Sequence, residues 1–230
     1  MPPGLDDVLD SVTGVLVTHE HPDHLDSAAR KWIRDRELPV WAGSIDVDSL
    51  RGRGLDAHDI QDNDLGIEVE VIPALHGWGW IGWLMGPVSG FYLAHPDEPS
   101  LYVTSDGVLD EEIHGAVTRL QPDIVLAPAG AANFGFGPNI LFSLDEMVEL
   151  VRVASGTVVF NHLESIDHCP TTRLELRQRM DSEGFGDRVH IPEDGEVLTL
   201  ERSGDAPHAA PKVRAPRKPG FQKWLTAKMA

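Results

Sequence analysis

A chain of 230 residues can form one sizeable domain, and its 41% apolar and 24% charged residues exclude a disordered, fibrous or collagen-like protein. The formal net charge of −18 disfavours a nucleic-acid partner, because an acidic surface repels phosphates. The sequence has no apolar stretch of membrane-helix length and no signal peptide, so we expect a cytoplasmic protein whose single cysteine, Cys169, is a small buried side chain.

Apolar runs bounded by turn residues predict strands, and longer periodic segments predict helices. The first strand is predicted at residues 12–18 and a helix with an acidic start at residues 26–37. Ser143 and Glu146 have capping-box spacing, which residues 172–175 repeat, so later helices are predicted to begin there. Strands and helices in this order predict an α/β layered fold. The further strands are predicted at residues 39–42, 67–73, 90–94, 101–104, 124–127, 157–160 and 197–201.

The last residues differ in composition from the rest of the chain. Residues 203–230 carry six Lys or Arg and one Asp, a charge of +5, which leaves −23 on the remainder. The segment is rich in Pro and Ala, which predicts an extended, solvated tail, and residues 221–229 have helix-forming composition. We therefore divide the chain into one domain of residues 1–202 and a basic C-terminal tail of residues 203–230.

Three histidines and an aspartate lie within the six-residue run HEHPDH, as His19, His21, Asp23 and His24. Neutral imidazole and carboxylate are ligands that Zn²⁺ and its neighbours prefer. His19 and His21 are two apart in extended chain and project to the same side, so one metal can take both. Pro22 keeps His21, the residue before it, out of helical geometry, and Asp23 and His24 lie where the helix begins and can turn toward a second ion. The pattern predicts a metal site rather than a loop of solvated histidines.

With these residues the sequence resembles the metallo-β-lactamase superfamily, whose HxHxDH motif is matched at every specified position. The later residues keep the order of the family: His76 follows IEVEVIPAL, Asp106 follows SLYVTS and His162 follows TVVFN. The segments GPVSGFYL and NHLESIDHCPTTR resemble the branch that contains ascorbate-6-phosphate lactonase. The resemblance implies an αβ/βα sandwich with two divalent metal ions, Zn²⁺ first and Mn²⁺ or Fe²⁺ as alternatives.

The resemblance also implies a role for each ligand. The implied ligands, with Asp106 bridging the two ions, are His19, His21 and His76 for one metal and Asp23, His24 and His162 for the other. Asp23 and Asp106 are expected to orient the reacting water. Glu164, Asp167 and His168 follow His162 and are candidates for outer partners or, for His168 above all, a proton donor; a structural role is the alternative for each.

The start of the chain departs from the family pattern. Only eighteen residues precede His19, whereas the superfamily usually has two or three strands there. We therefore expect a first sheet that lacks strands and has an edge that is covered, tolerated or paired across a subunit interface, which makes a homo-oligomer possible. A misassigned start or a truncated chain would explain the same difference.

Two segments rich in small residues are expected to border the substrate. Trp78, Trp80 and Trp83 in HGWGWIGWLMG are predicted to contact an apolar or ring-bearing small molecule, unless they pack under the second sheet. Residues 127–139 are predicted to form the opposite wall. The sequence thus predicts a metal-dependent hydrolase in which metal-bound hydroxide attacks an ester, lactone, amide or phosphodiester. The alternative is a metal-binding regulatory or scaffold protein without turnover.

Overall fold

The computed structural model describes residues 4–164 and 168–202. Its helices are α1 (Leu5–Ser11), α2 (Ser27–Asp35), α3 (Ser44–Gly52), α4 (Gly79–Met85), α5 (Glu111–Leu120), α6 (Leu144–Val153) and α7 (Arg173–Ser182). Its strands are β1 (Val15–Val17), β2 (Val40–Ala42), β3 (Ala57–Asp59), β4 (Glu68–Leu75), β5 (Pro87–His95), β6 (Glu98–Val103), β7 (Ile124–Pro128), β8 (Thr157–Asn161) and β9 (Val189–His190). The predicted tail, residues 203–230, and Asp167 lie outside the described residues.

The strands form two sheets. The first is three-stranded in the order β1-β2-β3, and both of its pairings are parallel. The second is six-stranded in the order β4-β5-β6-β7-β8-β9, antiparallel from β4 to β6 and parallel from β6 to β9. Parallel neighbours need crossover connections, which α2 and α3 supply in the first sheet and α5, α6 and α7 in the second. The α/β class is confirmed, and within the described residues β1 forms an edge of a small first sheet, as expected.

Each sheet has its own apolar core. In the larger core, Tyr92, Val125 and Phe160 of the second sheet pack with Met147 of α6 and Leu176 of α7, all of them at most 1% exposed. The core of the first sheet contains buried side chains from β2, β3, α2 and α3. Burial of these apolar faces fixes both sheets beneath their helices, so the carboxyl ends of the strands are held as a rigid edge.

Two helices begin where the sequence predicted them, and side-chain hydrogen bonds cap their N-termini. Asp26 accepts a hydrogen bond from the N–H of Ala29 at the start of α2. Ser143 and Glu146 form the reciprocal capping box of α6. The first predicted strand is shorter than expected, because only Val15–Val17 pairs with β2. The sequence analysis did not identify α1, α3, β3 or β9, which are short or weakly periodic.

One prediction about secondary structure was wrong. Residues 197–201 form no strand, because Val197 is 84% exposed and β9 already occupies the edge beside β8. The glycine-rich segment after His76, to which the sequence analysis assigned no helix, contains α4, whose Gly82 passes so close to Gly77 that a Cβ atom would lie 1.9 Å from the Gly77 carbonyl oxygen. No helix in the described part of the chain has the length and apolar character needed to cross a membrane.

Candidate metal centre

The predicted ligands all follow the ends of strands or lie in the loop after one. The HEHPDH run follows β1, His76 follows β4, and Asp106 and His162 lie just beyond β6 and β8. Carboxyl ends of neighbouring strands meet at one edge of a layered α/β fold, which is where such folds bind their ligands. The backbone is left-handed at Ser105 (φ 66°) and His162 (φ 60°), so the loops hold these turns against an intrinsic cost.

Three histidines form the first ligand group, which we call the three-histidine group: His19, His21 and His76. One nitrogen from each lies within 4.8 Å of the others. The Nδ1 of His76 donates to the carbonyl oxygen of Ile140 at 3.0 Å, and the Nδ1 of His19 lies 3.0 Å from the Thr18 hydroxyl. These contacts leave Nε2 of both rings directed into the group. The Nε2 of His19 is buried and has no hydrogen-bond partner among the described residues.

Burial keeps the three-histidine group neutral. Loss of hydration lowers the pKa of His76 to about 4, against an opposing effect of the Asp106 charge. The same cause lowers the pKa of His19 well below its ordinary value and lowers that of His21. Neutral imidazoles have a free lone pair at neutral pH, which is the form that ligates a metal.

The second group, which we call the mixed group, contains Asp23, His24, Asp106 and His162, whose ligand atoms also lie within 4.8 Å of one another. The Oδ2 of Asp106 lies 3.0 Å from the Nε2 of His24 and 3.4 Å from the Nε2 of His162. The Nε2 of His162 is 3.5 Å from Asp23. Asp106 Oδ2 also lies 3.9 Å from the Nε2 of His76, so this oxygen faces both groups.

Ionic hydrogen bonds shift the titration of the mixed group. The bond from His162 lowers the pKa of Asp23 to about 2. Burial alone would raise the pKa of Asp106, but hydrogen bonds from His162 and His24 hold it well below its usual range. Burial would lower the pKa of His162, yet its bonds to Asp106 and Asp23 raise it to about 12. Without a cation, the proton on His162 therefore balances the two carboxylates.

These observations fit divalent cations in both groups. The unpartnered, buried Nε2 of His19 is a nitrogen that a metal would satisfy, because a buried polar atom without a partner is otherwise costly. Two carboxylates beside the histidines supply the negative charge that a cation needs. The structure thus brings together all seven of the ligands that were predicted from the sequence.

The other predicted site residues lie outside the two groups. The His168 ring is 6.0 Å from the ring of Phe134, and its backbone carbonyl accepts from Asn133. Its role as proton donor stays a prediction. Glu164 is not a free acid, because Arg173 holds its carboxylate through both the guanidinium and the backbone N–H.

Three contacts that position the ligands were not predicted. The Sγ of Cys169 lies 3.6 Å from the Nδ1 of His162, so this buried cysteine is the outer partner of a ligand. The backbone of Met85, at the end of α4, hydrogen-bonds the His21 ring. Glu20, inside the HEHPDH run, pairs with Arg53 after α3. The contacts of Met85 and Glu20 join different segments of the chain, whereas Cys169 and His162 lie on the same loop between β8 and α7, and no spacing in the sequence indicates any of the three.

These features define a class of protein. A sequence profile of the Beta-lactamase superfamily domain matches residues 1–163, and the chain belongs to the metallo-β-lactamase superfamily. The chain is 28% identical over 205 residues to the UPF0173 protein YddR of Bacillus subtilis (strain 168), a match that covers 87% of this chain and 81% of that protein. The narrower resemblance to the lactonase branch stays a prediction.

Two solved structures share this fold over most of their length. One is the isothiocyanate hydrolase from Delia radicum gut bacteria, with 27% identity, a TM-score of 0.77, and coverage of 86% of this chain and 79% of that one. The other is a possible metal-dependent hydrolase from Veillonella parvula DSM 2008, with 27% identity, a TM-score of 0.78, and coverage of 86% and 80%.

Proposed function

We propose that this metal-dependent hydrolase of the metallo-β-lactamase superfamily binds two divalent cations, one in the three-histidine group and one in the mixed group. Zn²⁺ is the expected cation, with Mn²⁺ or Fe²⁺ as alternatives, because the groups offer nitrogen and oxygen ligands. Hydroxide is the proposed nucleophile, and an ester, lactone, amide or phosphodiester bond of a small molecule is the proposed target.

The position of Asp106 Oδ2 carries this proposal. That oxygen lies 3.0 Å from a histidine of the mixed group, His24, and 3.9 Å from one of the three-histidine group, His76. A carboxylate oxygen that faces two neighbouring ligand sets is suited to link two cations, whereas a single tetrahedral site needs only four ligands. Seven ligand atoms in two adjacent groups therefore favour a dinuclear centre.

The side chains of the site have distinct proposed roles. Divalent cations supply, when bound, Lewis acidity and a water of lowered pKa. Asp23 and Asp106 would contribute the negative charge that retains the cations, and their carboxylate oxygens would accept hydrogen bonds from the reacting water and orient it. His168 is proposed to donate a proton to the leaving group, since it lies on the loop that follows His162.

An isothiocyanate is a second candidate substrate, because one structural relative over 86% of this chain is named an isothiocyanate hydrolase. Its central carbon is an electrophile that the same nucleophile can attack. The non-enzymatic alternative, a regulatory or scaffold protein of this fold, predicts bound metal with no turnover.

Metal content and turnover, measured together, test the proposal. Protein purified without added metal is expected to contain about two divalent ions per chain by mass spectrometry, as in dinuclear sites of this kind. The metal-loaded protein is assayed with a p-nitrophenyl ester, a lactone, an aryl amide, bis(p-nitrophenyl) phosphate and 2-phenylethyl isothiocyanate. We expect hydrolysis of at least one, abolished by a chelator and restored by Zn²⁺. No turnover by fully loaded protein would favour the regulatory alternative, and chelator-resistant turnover would contradict the metal mechanism.

A further inference from the structure

Three exposed aromatic side chains form a continuous surface that we call the aromatic rim: Trp80, Phe134 and Phe136. Their side chains are 60%, 42% and 64% exposed. The Trp80 and Phe136 rings are nearly parallel, at 16°, with centroids 6.5 Å apart, and Phe134 lies 6.5 Å from Phe136. A single exposed apolar residue is ordinary, but adjacent exposed rings mark a site that binds something.

Hydrogen bonds connect both elements that carry the aromatic rim, helix α4 and the loop of Phe134 and Phe136, to the three-histidine group. Trp80 lies on α4, which begins three residues after His76 and whose last residue, Met85, hydrogen-bonds His21. The loop that carries the two phenylalanines is closed by a hydrogen bond from Ile140 to Ala132, and the carbonyl of Ile140 accepts from His76. Both elements that carry the rings are therefore tied to histidines of the three-histidine group, and the Phe134 ring also lies 6.0 Å from the ring of His168, on the loop after His162.

The rings stand on two walls, helix α4 and the loop of residues 129–142, and close packing fixes these walls against each other. A Cβ at Gly137 would lie 2.6 Å from the Cδ1 of Ile81, so the loop rests directly on α4. Below this contact a small buried cluster holds Ile81, Ala132, Ile140, Leu141 and Cys169. The rings above are thus presented on a rigid base, which reduces the entropy lost when a ligand stacks on them.

The two walls also lack charge. Residues 76–86 and 129–142 contain no Asp, Glu, Lys or Arg. A phosphate needs a cationic side chain or a set of N–H donors, and neither wall supplies a cation. A neutral planar ring instead matches the exposed ring faces, because aromatic surfaces stack with a preference beyond simple burial.

We infer that the aromatic rim binds a neutral aromatic group of the substrate while the bond to be hydrolysed lies at the metal centre. This inference rests on the proposed function and narrows it to substrates that carry a neutral ring beside the bond to be hydrolysed, in preference to sugar phosphates and other substrates with a charged remote group. Trp80 and Phe136 are then specificity-determining residues of the hydrolase.

Thiols test this inference without turnover, since a thiolate binds Zn²⁺ directly. The matched probes on the Zn²⁺-loaded protein are 2-phenylethanethiol and 2-cyclohexylethanethiol, which differ in the planarity of the ring, and 2-mercaptoethanol, which cannot reach the rim. Calorimetry is expected to give about fivefold tighter binding of the phenyl probe than of the cyclohexyl probe. Trp80→Leu and Phe136→Leu are expected to remove that preference and leave 2-mercaptoethanol binding unchanged.

The control is Leu65→Ala, which removes an exposed apolar side chain (52% exposed) before the opposite end of β4 and is expected to keep the preference. Equal binding of the two ring probes by the wild type would overturn the inference and leave the metal centre intact. Ring variants that turn an oligomer into monomers, with an unchanged preference, would instead assign the rim to a subunit interface. Failure of 2-mercaptoethanol to bind would overturn the proposed metal centre and this inference together.

Discussion

The two ligand groups share one edge of the fold but differ in how they are prepared for a cation. His19 and His76 of the three-histidine group are 3% and 1% exposed, and burial keeps the group neutral. In the mixed group Asp23 and His24 have side chains 34% and 26% exposed, and the carboxylates hold a proton on His162. The first group is ready to ligate at neutral pH, whereas the second must exchange a proton for a metal.

The difference teaches that Asp106 has two functions in the metal-free protein. It stabilises the imidazolium of His162 in the mixed group, and its charge partly opposes the desolvation of His76 in the other. A cation in either group is therefore expected to change the electrostatic environment of the other, above all through Asp106, whose oxygen lies within 4 Å of histidines of both groups. The predictions below separate the groups by removing their shared residue and then their individual contacts.

Removal of Asp106 is expected to have the largest effect. Asp106→Ala takes away the only side chain of the two groups whose oxygen approaches histidines of both, so both cations are expected to be weakened. Turnover is expected to fall by at least about a thousandfold, the loss of several kcal/mol of Lewis-acid stabilisation. The measurement pairs metal stoichiometry with turnover of the substrate found.

Glu164→Gln is the matched control for Asp106→Ala. Glu164 lies two residues after the candidate ligand His162, but its carboxylate is held by Arg173, so metal content is expected to remain near normal. His168→Ala is also expected to retain its metals and to slow only the chemical step if His168 donates the proton. Full activity in Asp106→Ala would show that the bridge is not part of the catalytic centre.

The proton on His162 predicts that the two metal sites differ in pH dependence. The pKa of about 12 means that His162 is protonated at neutral pH in the metal-free protein, so cation binding must release that proton. Affinity of the mixed group is expected to rise about tenfold per pH unit between pH 7 and 8.5, while that of the three-histidine group stays nearly constant. Zn²⁺ competition with a chelator at several pH values measures both steps.

His162→Gln is expected to weaken the pH-dependent step and to remove its slope. Two binding steps with the same pH dependence in the wild type would contradict the contrast between the groups.

The His162 proton also changes the free energy of unfolding of the metal-free protein, in a direction that the pKa shift determines. Because its folded pKa is raised, its contribution is complete below the unfolded value of 6.5, declines as the pH rises above that value, and is lost once the pH has risen through about 12.

The three-histidine group predicts a loss of stability in acid. Between pH 6.5 and 4 the unfolded chain binds a proton at His76 that the folded, metal-free protein does not, so the unfolding free energy falls as the pH falls. Between pH 7 and 5 this effect is about 2 kcal/mol for a pKa of about 4. Urea unfolding of metal-free wild type and His76→Gln at both pH values is the test, and the variant is expected to lose less stability. Equal losses would mean that His76 is not buried neutral.

The sequence predicted the ligands far better than their surroundings. Two features were sufficient to predict the seven candidate ligands: the spacing within HEHPDH, and the placement of His76, Asp106 and His162 after strands. Metal chemistry restricts the residue types that can serve as ligands, and the ends of strands restrict where in the chain they can lie. Most strands were found for the same reason, since buried strands are apolar runs. Helix α4 was missed because two of its seven residues are glycines and two are tryptophans, which have poor helix propensity; packing of Ile81, Gly82 and Met85 stabilises it.

Contacts that depend on how the loops fold could not be predicted. Cys169 was predicted to be buried, which is confirmed, but its approach to His162 depends on Gly130, where a Cβ would lie 2.6 Å from the sulfur. For the tryptophans of residues 76–86 the sequence allowed either contact with the substrate or packing under the second sheet. The exposure of Trp80 favours contact with the substrate. The cytoplasmic location stays a prediction.

The smallest effects are expected from residues that contact a candidate ligand but do not themselves belong to either group. Cys169→Ala removes the sulfur 3.6 Å from the Nδ1 of His162, which frees that ring to rotate or change tautomer. Outer partners of ligands are commonly worth about 10–100-fold in metal affinity, but sulfur is a weak acceptor, so we expect about three- to tenfold weaker binding in the pH-dependent step alone. Thr18→Val is the matched change for the other group, because it removes the hydroxyl 3.0 Å from the Nδ1 of His19, and it is expected to weaken only the pH-independent step. Chelator competition on both variants measures the two steps side by side. If either variant weakens both steps equally, the loss comes from the fold around the centre, and these contacts do not position individual ligands.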